Sequence, residues 1–435
     1  MKVIIIGAGI GGLACAISCR REGLEVVVLE QAPALQPVGA GIQIPPNAAR
    51  VLRKLGLLPQ LIDKATLIDS IDYLRYKDGE VLYQIQGGEK FKQVYGDTWM
   101  VIARPDYHDV LWNAAKEAGV ELRLGAEAAE IDFEVPSVHL ATGEIVKGDV
   151  IVGADGLWSR SRDQILGRPS PPSETGDLAY RATLTLQQMK DLRDPQIDDL
   201  IKHKTVKCWM GPNKHCVLYP ISGGQVFNLV IICPDDIPKR VRQAPGDVEE
   251  MRGLFLGWDG RLTKMLSSVT SVLKWKLCHH EELRSWRKGS IALLGDACHP
   301  TLPYQAQGAA MAVEDGAVLG ILLGQLVTSG LYDKSKDSIL DLLEIYENLR
   351  KSRTTINVQG ARSNQQAYHL PDGPLQESRD AWLRSGPQDT SPDGFTFADT
   401  AYLRVILGFD ALGESIDAFK KWEAGHAQVL PRHNL

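Results

Sequence analysis

Three glycines close to the start of the chain, Gly7, Gly9 and Gly12, have the G-x-G-x-x-G spacing of a turn that binds the pyrophosphate of a dinucleotide. The first permits a tight turn, the second lets the backbone approach the phosphates, and the third allows a helix to pack closely on a strand. An acid, Glu30, follows where a carboxylate accepts hydrogen bonds from ribose hydroxyls, and its charge repels a ribose 2′-phosphate. These residues predict a site for a dinucleotide with an unphosphorylated ribose, without saying which dinucleotide.

The segments around these residues have the order that such a site requires. Residues 3–6 form a β-branched run, which is typical of a strand buried on both faces of a parallel sheet. A helix over residues 13–21 and a second strand over residues 26–29 follow. The helix would direct free N–H groups and a partial positive charge at the phosphates. The glycine pattern alone is often an ordinary turn, but the complete strand–helix–strand order favours a dinucleotide site.

Composition excludes several other classes of protein. The 435 residues are enough for two domains or one elaborated domain, and the net charge of -6 argues against a nucleic-acid partner. The chain has no run of about 18 or more uncharged apolar residues, so we expect no membrane span and a cytoplasmic protein. Its seven cysteines lack C-x-x-C spacing and indicate reduced thiols, and no metal site is predicted.

Two further acids follow predicted strands. Asp155 lies in the segment GDVIVGADGLWSRSR, where an Asp-Gly pair by itself would usually be a turn. Asp296 follows a strand predicted over residues 290–294, and a carboxylate at that edge of a parallel sheet can bind a polyol chain. Pro303 lies in the extended loop that comes next. Gly308 and Ala309 then open a long helix with no bulky side chain, so that a flat ring could rest on its N-terminus.

A glycine-rich loop and an arginine complete this set. Gly41 belongs to the stretch GAGIQIPPN, in which the backbone could lie against a flat ligand and Asn47 is expected to cap the next helix. Arg104 precedes a helix predicted over residues 107–118. An arginine at such a position is often part of a surface ion pair, but it could also reach a phosphate or ribose.

Three stretches, residues 7–30, 149–162 and 295–315, together resemble the class A flavoprotein monooxygenases of the salicylate hydroxylase type. The resemblance implies that FAD, not NAD, occupies the opening unit, with Glu30 on the adenosine ribose, Arg104 at the phosphates and Asp296 on the ribitol. It also implies that Asp155 serves both FAD and the reduced nicotinamide. The cofactor contacts implied in this way are Gly7, Gly9, Gly12, Glu30, Ala40, Gly41, Arg104, Asp155, Asp296, Pro303, Gly308 and Ala309.

The same resemblance implies the fold and the reaction. The expected fold is α/β, with a Rossmann-type FAD-binding domain and an inserted mixed β-sheet substrate domain, as in p-hydroxybenzoate hydroxylase. The FAD-binding domain is expected over residues 1–70, 101–175 and 285–365, the substrate domain over 71–100 and 176–284, and an extension packing on the FAD-binding domain over 366–435. The expected reaction uses O2 and NADH or NADPH, as a transient electron donor, to hydroxylate an electron-rich aromatic molecule through a flavin C4a-hydroperoxide.

Two residues of the inserted segment are candidates for substrate contacts. Arg181 and Tyr219 are polar residues within otherwise apolar, strand-like runs. Without the resemblance, an edge ion pair and an amphipathic sheet tyrosine would be the better interpretations. In phenol-hydroxylating relatives an arginine and a tyrosine at similar places hold the substrate, so we predict that Arg181 and Tyr219 activate a phenol by lowering its pKa.

Other functions stay open at this stage. A flavin-binding protein without hydroxylase activity, and an epoxidase acting on an alkene or indole, agree with the same motifs. An NAD-dependent dehydrogenase agrees less well, because it has no use for a polyol-binding acid at Asp296. The sequence does not distinguish NADH from NADPH, does not identify the aromatic substrate, and leaves a homodimer open.

Overall fold

The computed structural model describes residues 1–35, 39–332, 337–386 and 395–427. The strands are β1 (Lys2–Ile6), β2 (Glu25–Glu30), β3 (Gly41–Ile44), β4 (Thr66–Leu67), β5 (Ser70–Arg75), β6 (Val81–Gln86), β7 (Met100–Ala103), β8 (Glu121–Leu124), β9 (Ala128–Asp132), β10 (Ser137–Leu140), β11 (Ile145–Lys147), β12 (Val150–Gly153), β13 (Ser173–Thr185), β14 (Thr205–Gly211), β15 (Lys214–Ile221), β16 (Val226–Pro234), β17 (Gln243–Gly246), β18 (Val272–His279), β19 (Arg287–Lys288) and β20 (Ile291–Leu293). The helices are α1 (Ile10–Arg21), α2 (Pro46–Lys54), α3 (Leu58–Lys64), α4 (Glu89–Tyr95), α5 (Arg104–Glu117), α6 (Arg160–Leu166), α7 (Leu186–Asp191), α8 (Pro195–Leu200), α9 (Val248–Gly253), α10 (Gly260–Leu266), α11 (Gly308–Thr328), α12 (Asp337–Tyr368), α13 (Pro374–Arg384), α14 (Thr400–Leu407) and α15 (Ala411–Ala427).

A six-stranded sheet brings the three sequence motifs together. Its order is β19-β20-β12-β1-β2-β8, and all neighbours are parallel except β19, which lies antiparallel at the edge. The last residues of three adjacent strands are in register, because Ile6 pairs with Gly153 and Gly153 pairs with Leu293. The glycine turn, the Asp-Gly loop and the Gly-Asp loop therefore leave the sheet side by side at its carboxyl edge, where open α/β sheets bind ligands.

Two helices, α1 and α11, pack backbone to backbone under this sheet. A Cβ added at Gly316 would lie 2.6 Å from the backbone nitrogen of Cys15, and one added at Gly320 would lie 2.2 Å from Ser18 Oγ. Because contacts advance along both helices in the same direction, α1 and α11 are parallel and their N-termini face the same edge. Helix α11 is long and apolar enough to cross a membrane, but 83% of its most apolar window is buried inside the protein, which is the property of a core helix.

An eight-stranded sheet forms the second layer of the fold. Its order is β17-β18-β13-β16-β15-β14-β5-β6, and its neighbours are antiparallel except for β14 and β5, which are parallel. Its strands come from residues 70–86 and 173–279, on either side of the segment that supplies β7 to β12. A mixed sheet inserted into a Rossmann-type α/β unit is the fold class predicted from the sequence, and that prediction is confirmed.

The C-terminal helices correct one expectation about packing. Residues 366–435 were expected to pack on the FAD-binding domain; of these, residues 387–394 and 428–435 lie outside the described part of the chain. Helix α13 instead packs on β6 of the eight-stranded sheet, and its Leu383 joins a core that includes Tyr73 and Ile85. This face of the sheet is aromatic and would otherwise be exposed. Helix α14 contacts both α2 and α4. Helix α15 packs on α11.

Candidate active site

Three cavities run along the carboxyl edge of the six-stranded sheet and share lining residues, so that they form one path. The first, about 430 Å³, is lined by Gly7, Gly9, Glu30 and Asp155. The second, about 540 Å³, shares Gly9 and Glu30 with the first and adds Arg104. The third, about 260 Å³, shares Arg104 with the second and reaches both α11 and the eight-stranded sheet. The path suits an elongated ligand.

The glycine turn after β1 begins this path. Gly7 has a φ of +107°, and a Cβ there would lie 2.5 Å from the carbonyl oxygen of Ala154. A Cβ at Gly12 would lie 2.1 Å from the carbonyl oxygen of Gly7. A Cβ at Gly9 would meet no heavy atom within 4 Å, because this residue borders open space. Gly7 and Gly12 therefore shape the turn, and Gly9 leaves the backbone open to a ligand.

Glu30 is fixed at the end of β2 by two backbone donors. Ala8 N donates to Glu30 Oε2 at 2.9 Å, and Ala32 N donates to Glu30 Oε1 at 2.9 Å. A carboxylate oxygen accepts more than one hydrogen bond, so both oxygens retain capacity toward the cavities that they border. This geometry suits the ribose contact that the sequence predicts.

Asp155 lines the first cavity, but its carboxylate is engaged with the start of α6. Ser159 Oγ donates to Asp155 Oδ1 at 2.5 Å, and Ser161 N donates to Asp155 Oδ2 at 2.9 Å. Ser159 in turn caps α6 by accepting from the backbone N–H of Arg162. Asp155 therefore fixes the loop after β12, and its contact with a ligand stays a prediction.

Asp296 lies in the loop after β20. Asp296 is exposed and lines the third cavity, and desolvation by the surrounding protein raises the pKa of its carboxyl from the ordinary value, an effect that His299 and Arg104 oppose. Asp315 Oδ2 accepts from the backbone N–H of Gly295 at 3.0 Å, which holds the Gly-Asp turn in place. Arg104 lines the second and third cavities; burial lowers its pKa, and Arg181 adds to this shift.

The third cavity meets the N-terminus of α11. Gly308 and Ala309 line it, and the helix has no side-chain cap, so its first N–H groups are available to a ligand. Pro303 and Gly41 line the same cavity, as the resemblance implies. Ala40 does not line it. Its carbonyl oxygen accepts from Arg104 N at 2.8 Å, so Ala40 positions Arg104 rather than forming the cavity wall.

Asn47 ties the Gly41 loop to α11, which differs from the expected cap. Asn47 Nδ2 donates to Glu314 Oε1 at 2.7 Å and to Gln307 Oε1 at 3.0 Å, and the residue before α2 makes no side-chain cap. The prolines at the start of α2 explain this, because a helix that begins with proline has fewer free N–H groups to cap. The Gly41 loop and the N-terminus of α11 are thereby held together around the third cavity.

Arg181 and Tyr219 both line the third cavity, as their predicted pairing requires. The guanidinium carbon of Arg181 lies 5.5 Å from the ring centroid of Trp275. Among the described residues, Arg181 has no carboxylate within ion-pair distance, and its buried Nε has no hydrogen-bond partner. Burial lowers the pKa of Arg181, whereas burial raises the pKa of Tyr219, which therefore remains a donor near neutral pH.

His215 is a cavity residue that the sequence analysis did not identify. It lies on β15 four residues before Tyr219, is only 1% exposed, and lines the third cavity. His215 Nδ1 lies 2.8 Å from Nε2 of His369, which leaves His215 Nε2 as the ring nitrogen that can meet a ligand. Because side chains alternate along a strand, residues 215, 217 and 219 share a face, and this alternation could have revealed His215 once Tyr219 was a candidate.

A buried cluster of ion pairs joins α11, whose N-terminus lines the third cavity, to α12. Arg350 Nε donates to Asp315 Oδ1 at 2.7 Å, and its second nitrogen donates to Glu314 Oε2 at 2.6 Å. His299 Nε2 lies 2.6 Å from Asp315 Oδ2, so this histidine belongs to the buried cluster. Burial raises the pKa of Asp315, but His299 and Arg350 outweigh it and lower the pKa to about 2.

Comparison with known proteins identifies the family. Residues 1–360 match the family described as "FAD binding domain". The chain is 41% identical over 419 residues to the FAD-dependent monooxygenase OpS4 of Beauveria bassiana, covering 95% of this chain and 96% of that protein. It is 33% identical over 391 residues to a 3-hydroxybenzoate 6-hydroxylase of Polaromonas naphthalenivorans, covering 89% and 93%. The chain belongs to the FAD-dependent aromatic monooxygenases.

This monooxygenase also shares its fold with a solved salicylate hydroxylase substrate complex. The two structures superpose with a TM-score of 0.77 at 22% identity, over 96% of this chain and 98% of that chain. The family, the enzyme class and the FAD cofactor predicted from the sequence are thus confirmed. The same relatives, which are FAD-dependent monooxygenases, argue against a dehydrogenase and against a flavin-binding protein without enzymatic activity.

The path along the sheet edge fits FAD on structural grounds. Gly9 leaves backbone open where the pyrophosphate would lie, Glu30 borders the adenosine end, and Asp296 borders the third cavity. The uncapped N-terminus of α11 provides N–H groups for the electron-poor part of a flat ring. When bound along these residues, FAD would supply the electron transfer from the nicotinamide cosubstrate typical of this family and the activation of O2.

Proposed function

We propose that this monooxygenase hydroxylates an aromatic compound that carries both a hydroxyl and a carboxylate, and that Arg181, His215 and Tyr219 hold it. The supporting observation is the half-buried guanidinium of Arg181, which lines the third cavity with a buried, unpaired Nε and with no carboxylate of the described chain at ion-pair distance. The relative from Polaromonas naphthalenivorans is a 3-hydroxybenzoate hydroxylase, so an aromatic acid of this kind is a substrate of a related enzyme.

Arg181 supports an anionic ligand because a buried charge needs a counter-charge. Among the described residues it has an aromatic neighbour, Trp275, but no carboxylate at ion-pair distance, and its Nε is unpaired. Burial of an unpaired guanidinium is unfavourable, and a carboxylate on the ligand would remove that penalty through charge-assisted hydrogen bonds.

His215 and Tyr219 supply the acid–base chemistry at the hydroxyl of the substrate. His215 Nε2 is the ring nitrogen directed to a ligand, and we assign it the removal of the phenolic proton, which makes the ring carbon richer in electrons. Tyr219 stays protonated and donates a hydrogen bond. The reaction would also need water to be kept from the ring, and Pro303 lines the cavity wall that would do so.

The same proposal assigns each segment of the chain to a substrate domain or to an FAD-binding domain. Residues 71–100 and 176–284 form the substrate domain, and residues 1–70, 101–175 and 285–365 form the FAD-binding domain. The cofactor lies along Gly7, Gly9, Gly12, Glu30 and Asp296. The cysteines of the described chain are unpaired, which supports a reducing compartment such as the cytoplasm.

A matched pair of ligands tests the proposal. With the FAD-loaded enzyme and either NADH or NADPH, we expect 3-hydroxybenzoate to stimulate cosubstrate oxidation and to be hydroxylated, and 3-hydroxybenzyl alcohol to do so at least about 10-fold less efficiently, because it lacks the carboxylate. The measurement is product formed per nicotinamide consumed. Equal efficiency with the alcohol contradicts the role of Arg181, and selective oxidation of indole or an alkene would favour epoxidation.

A further inference from the structure

We propose that His369 and Asp177 fix the proton positions of His215 and carry the substrate proton from the third cavity to solvent. This inference rests on the proposed function, because it assumes that His215 accepts a proton from a phenol. His369 and Asp177 are positioning residues, since they act through His215 and do not line the cavity.

The geometry is a chain of three groups from three elements. His215 on β15 contacts His369, which directly follows α12, at 2.8 Å between Nδ1 and Nε2. His369 Nδ1 lies 4.0 Å from Oδ2 of Asp177 on β13. The same Asp177 oxygen accepts from Tyr304 at 2.6 Å and from Gln365 Nε2 at 2.5 Å. The backbone N–H of Asn213 donates to the carbonyl oxygen of His369 at 3.0 Å and anchors this turn.

The carboxylate determines which nitrogen of each ring carries the proton. At 4.0 Å the Asp177 carboxylate is too far from Nδ1 of His369 for a hydrogen bond, but its negative charge stabilises a proton on that nitrogen, so Nδ1 carries the proton and Nε2 has the lone pair. His215 must then donate from Nδ1 across the 2.8 Å contact. Its Nε2 is left with a lone pair toward the cavity. Asp177 thereby makes His215 a base at the position where the phenol would bind.

Burial explains why a second histidine is needed. The pKa of His215 lies well below its ordinary value because of burial and then because of His369. Burial also lowers the pKa of His369 to about 4, with Asp177 opposing and Lys214 adding to the shift. The groups around the two rings are Asp177, Lys214, Tyr304 and Tyr368, with Arg181 in the same cavity. A charged His215 is unstable there, so a proton that it receives has to move on.

The transfer conserves every proton. The phenolic O–H bond breaks as an N–H bond forms at His215 Nε2, and the Nδ1 proton of His215 passes to His369 Nε2. The Nδ1 proton of His369 then passes to water near Asp177. The His369 side chain is 12% exposed, which gives this proton a way to solvent. After the reaction the same steps run backward and protonate the hydroxyl of the product. The two rings return to their starting tautomers, and no redox partner is required.

The tautomers can be measured without a substrate. In the FAD-loaded, 15N-histidine-labelled full chain, long-range 1H–15N correlation spectra are expected to show His215 and His369 neutral with the proton on Nδ1. Asp177→Asn is expected to shift His369 toward the Nε2–H form, because the negative charge that favours a proton on Nδ1 is lost. Asp236→Asn, in which the lost carboxylate is a partner of Lys274 instead, should leave both rings unchanged. An Nε2–H form of His369 in the unaltered enzyme overturns the relay.

Turnover provides the second test. With 3-hydroxybenzoate as the probe, Asp177→Asn and His369→Phe are expected to lower the hydroxylation rate at neutral pH by about 10- to 100-fold, with FAD content unchanged. The loss should shrink as the pH rises and the phenol ionises in solution, a recovery that a merely structural defect would not show. A pH-independent loss, or no loss, contradicts the relay. If 3-hydroxybenzoate is not hydroxylated while the tautomers are as described, the proposed function fails and the hydrogen-bond order stands.

Discussion

Two buried arginine environments of this monooxygenase have opposite electrostatic designs. Arg350, at 0% exposure, is neutralised by Glu314 and Asp315, and both carboxylates have further partners in Asn47 and His299. Arg181 is half-buried, and no carboxylate of the described chain reaches it. The charge of Arg350 is neutralised within the protein, whereas the charge of Arg181 would be neutralised only by an anionic ligand.

The difference teaches that pairing, and not burial, separates a structural charge from a ligand-binding one. Removing one member of a complete buried cluster leaves opposite charges without partners and destabilises the fold. Removing a charge that has no partner removes a desolvation penalty and a binding site together. The two arginines should therefore respond to the same substitution in opposite ways.

The largest effect is expected from Arg350→Leu. Glu314 and Asp315 would lose their shared partner, and the free energy of unfolding should fall by about 3–5 kcal/mol. Denaturant unfolding of the FAD-loaded enzyme measures this. Arg123→Leu, which removes exposed pairs with Glu121 and Glu144, is the control and should change the unfolding free energy by less than about 1 kcal/mol. Similar values for both variants would remove the distinction between buried and surface pairs.

Arg181→Leu should leave stability nearly unchanged and impair substrate use. We expect kcat/KM for 3-hydroxybenzoate to fall roughly 100-fold, about 3 kcal/mol, because a desolvated charge contact is lost. FAD content should be retained. Lys207→Met is the matched control on the same sheet, since Lys207 pairs with buried Asp72 at 2.9 Å and its loss should affect stability rather than kcat/KM. A large stability loss in Arg181→Leu would show that the guanidinium is structural.

Acid unfolding should depend on Asp315. Its folded pKa of about 2 lies below the ordinary value of 3.8, so its contribution is present above pH 4 and is lost as the pH falls toward 2. The contribution is about 2 kcal/mol. Unfolding free energies measured between pH 2 and 5 should therefore fall less steeply with acid in Asp315→Asn than in the unaltered enzyme. Arg181→Leu should retain the original slope, because no carboxylate depends on it.

The smallest effect is expected from Tyr219→Phe. One neutral hydrogen bond to the substrate is lost, which corresponds to about 1 kcal/mol, or roughly a 5-fold lower kcat/KM. Because the pKa of Tyr219 is raised by burial, this loss should be the same across the neutral pH range. Product formed per nicotinamide consumed, measured from pH 6 to 9, checks both points. A larger loss than in Arg181→Leu would reverse the order of importance.

The cofactor half of the molecule could be predicted because its signals are local. The turn at Gly7, Gly9 and Gly12, the acid at Glu30 and the strand before Asp296 each depend on residues close together in the chain. Parallel sheets place strand ends at one edge, so separate local motifs imply a common site.

The substrate half could not be predicted to the same depth, because its contacts join distant residues. His215 and His369 are 154 positions apart, and Arg350 reaches Asp315 only when α12 lies along α11. Neither pairing leaves a periodic signal. The carbonyl oxygen of Ala40 accepts from Arg104 N, a contact that the sequence does not reveal, and the predicted contact of Ala40 with the cofactor stays a prediction.

The backbone contact between α1 and α11 fixes the distance between the N-termini of these two helices. The small residues Ala312, Gly316 and Gly320 of α11 meet Gly11, Cys15 and Ser18 of α1, so neither helix can slide along the other without a steric clash. Helix α11 begins at Gly308, four residues before the first of these contacts, which places its N-terminus about 6 Å farther along the axis. The spacing between the phosphate end and the ring end is therefore set by main-chain packing. Side chains elsewhere can diverge toward new aromatic substrates while this spacing stays constant.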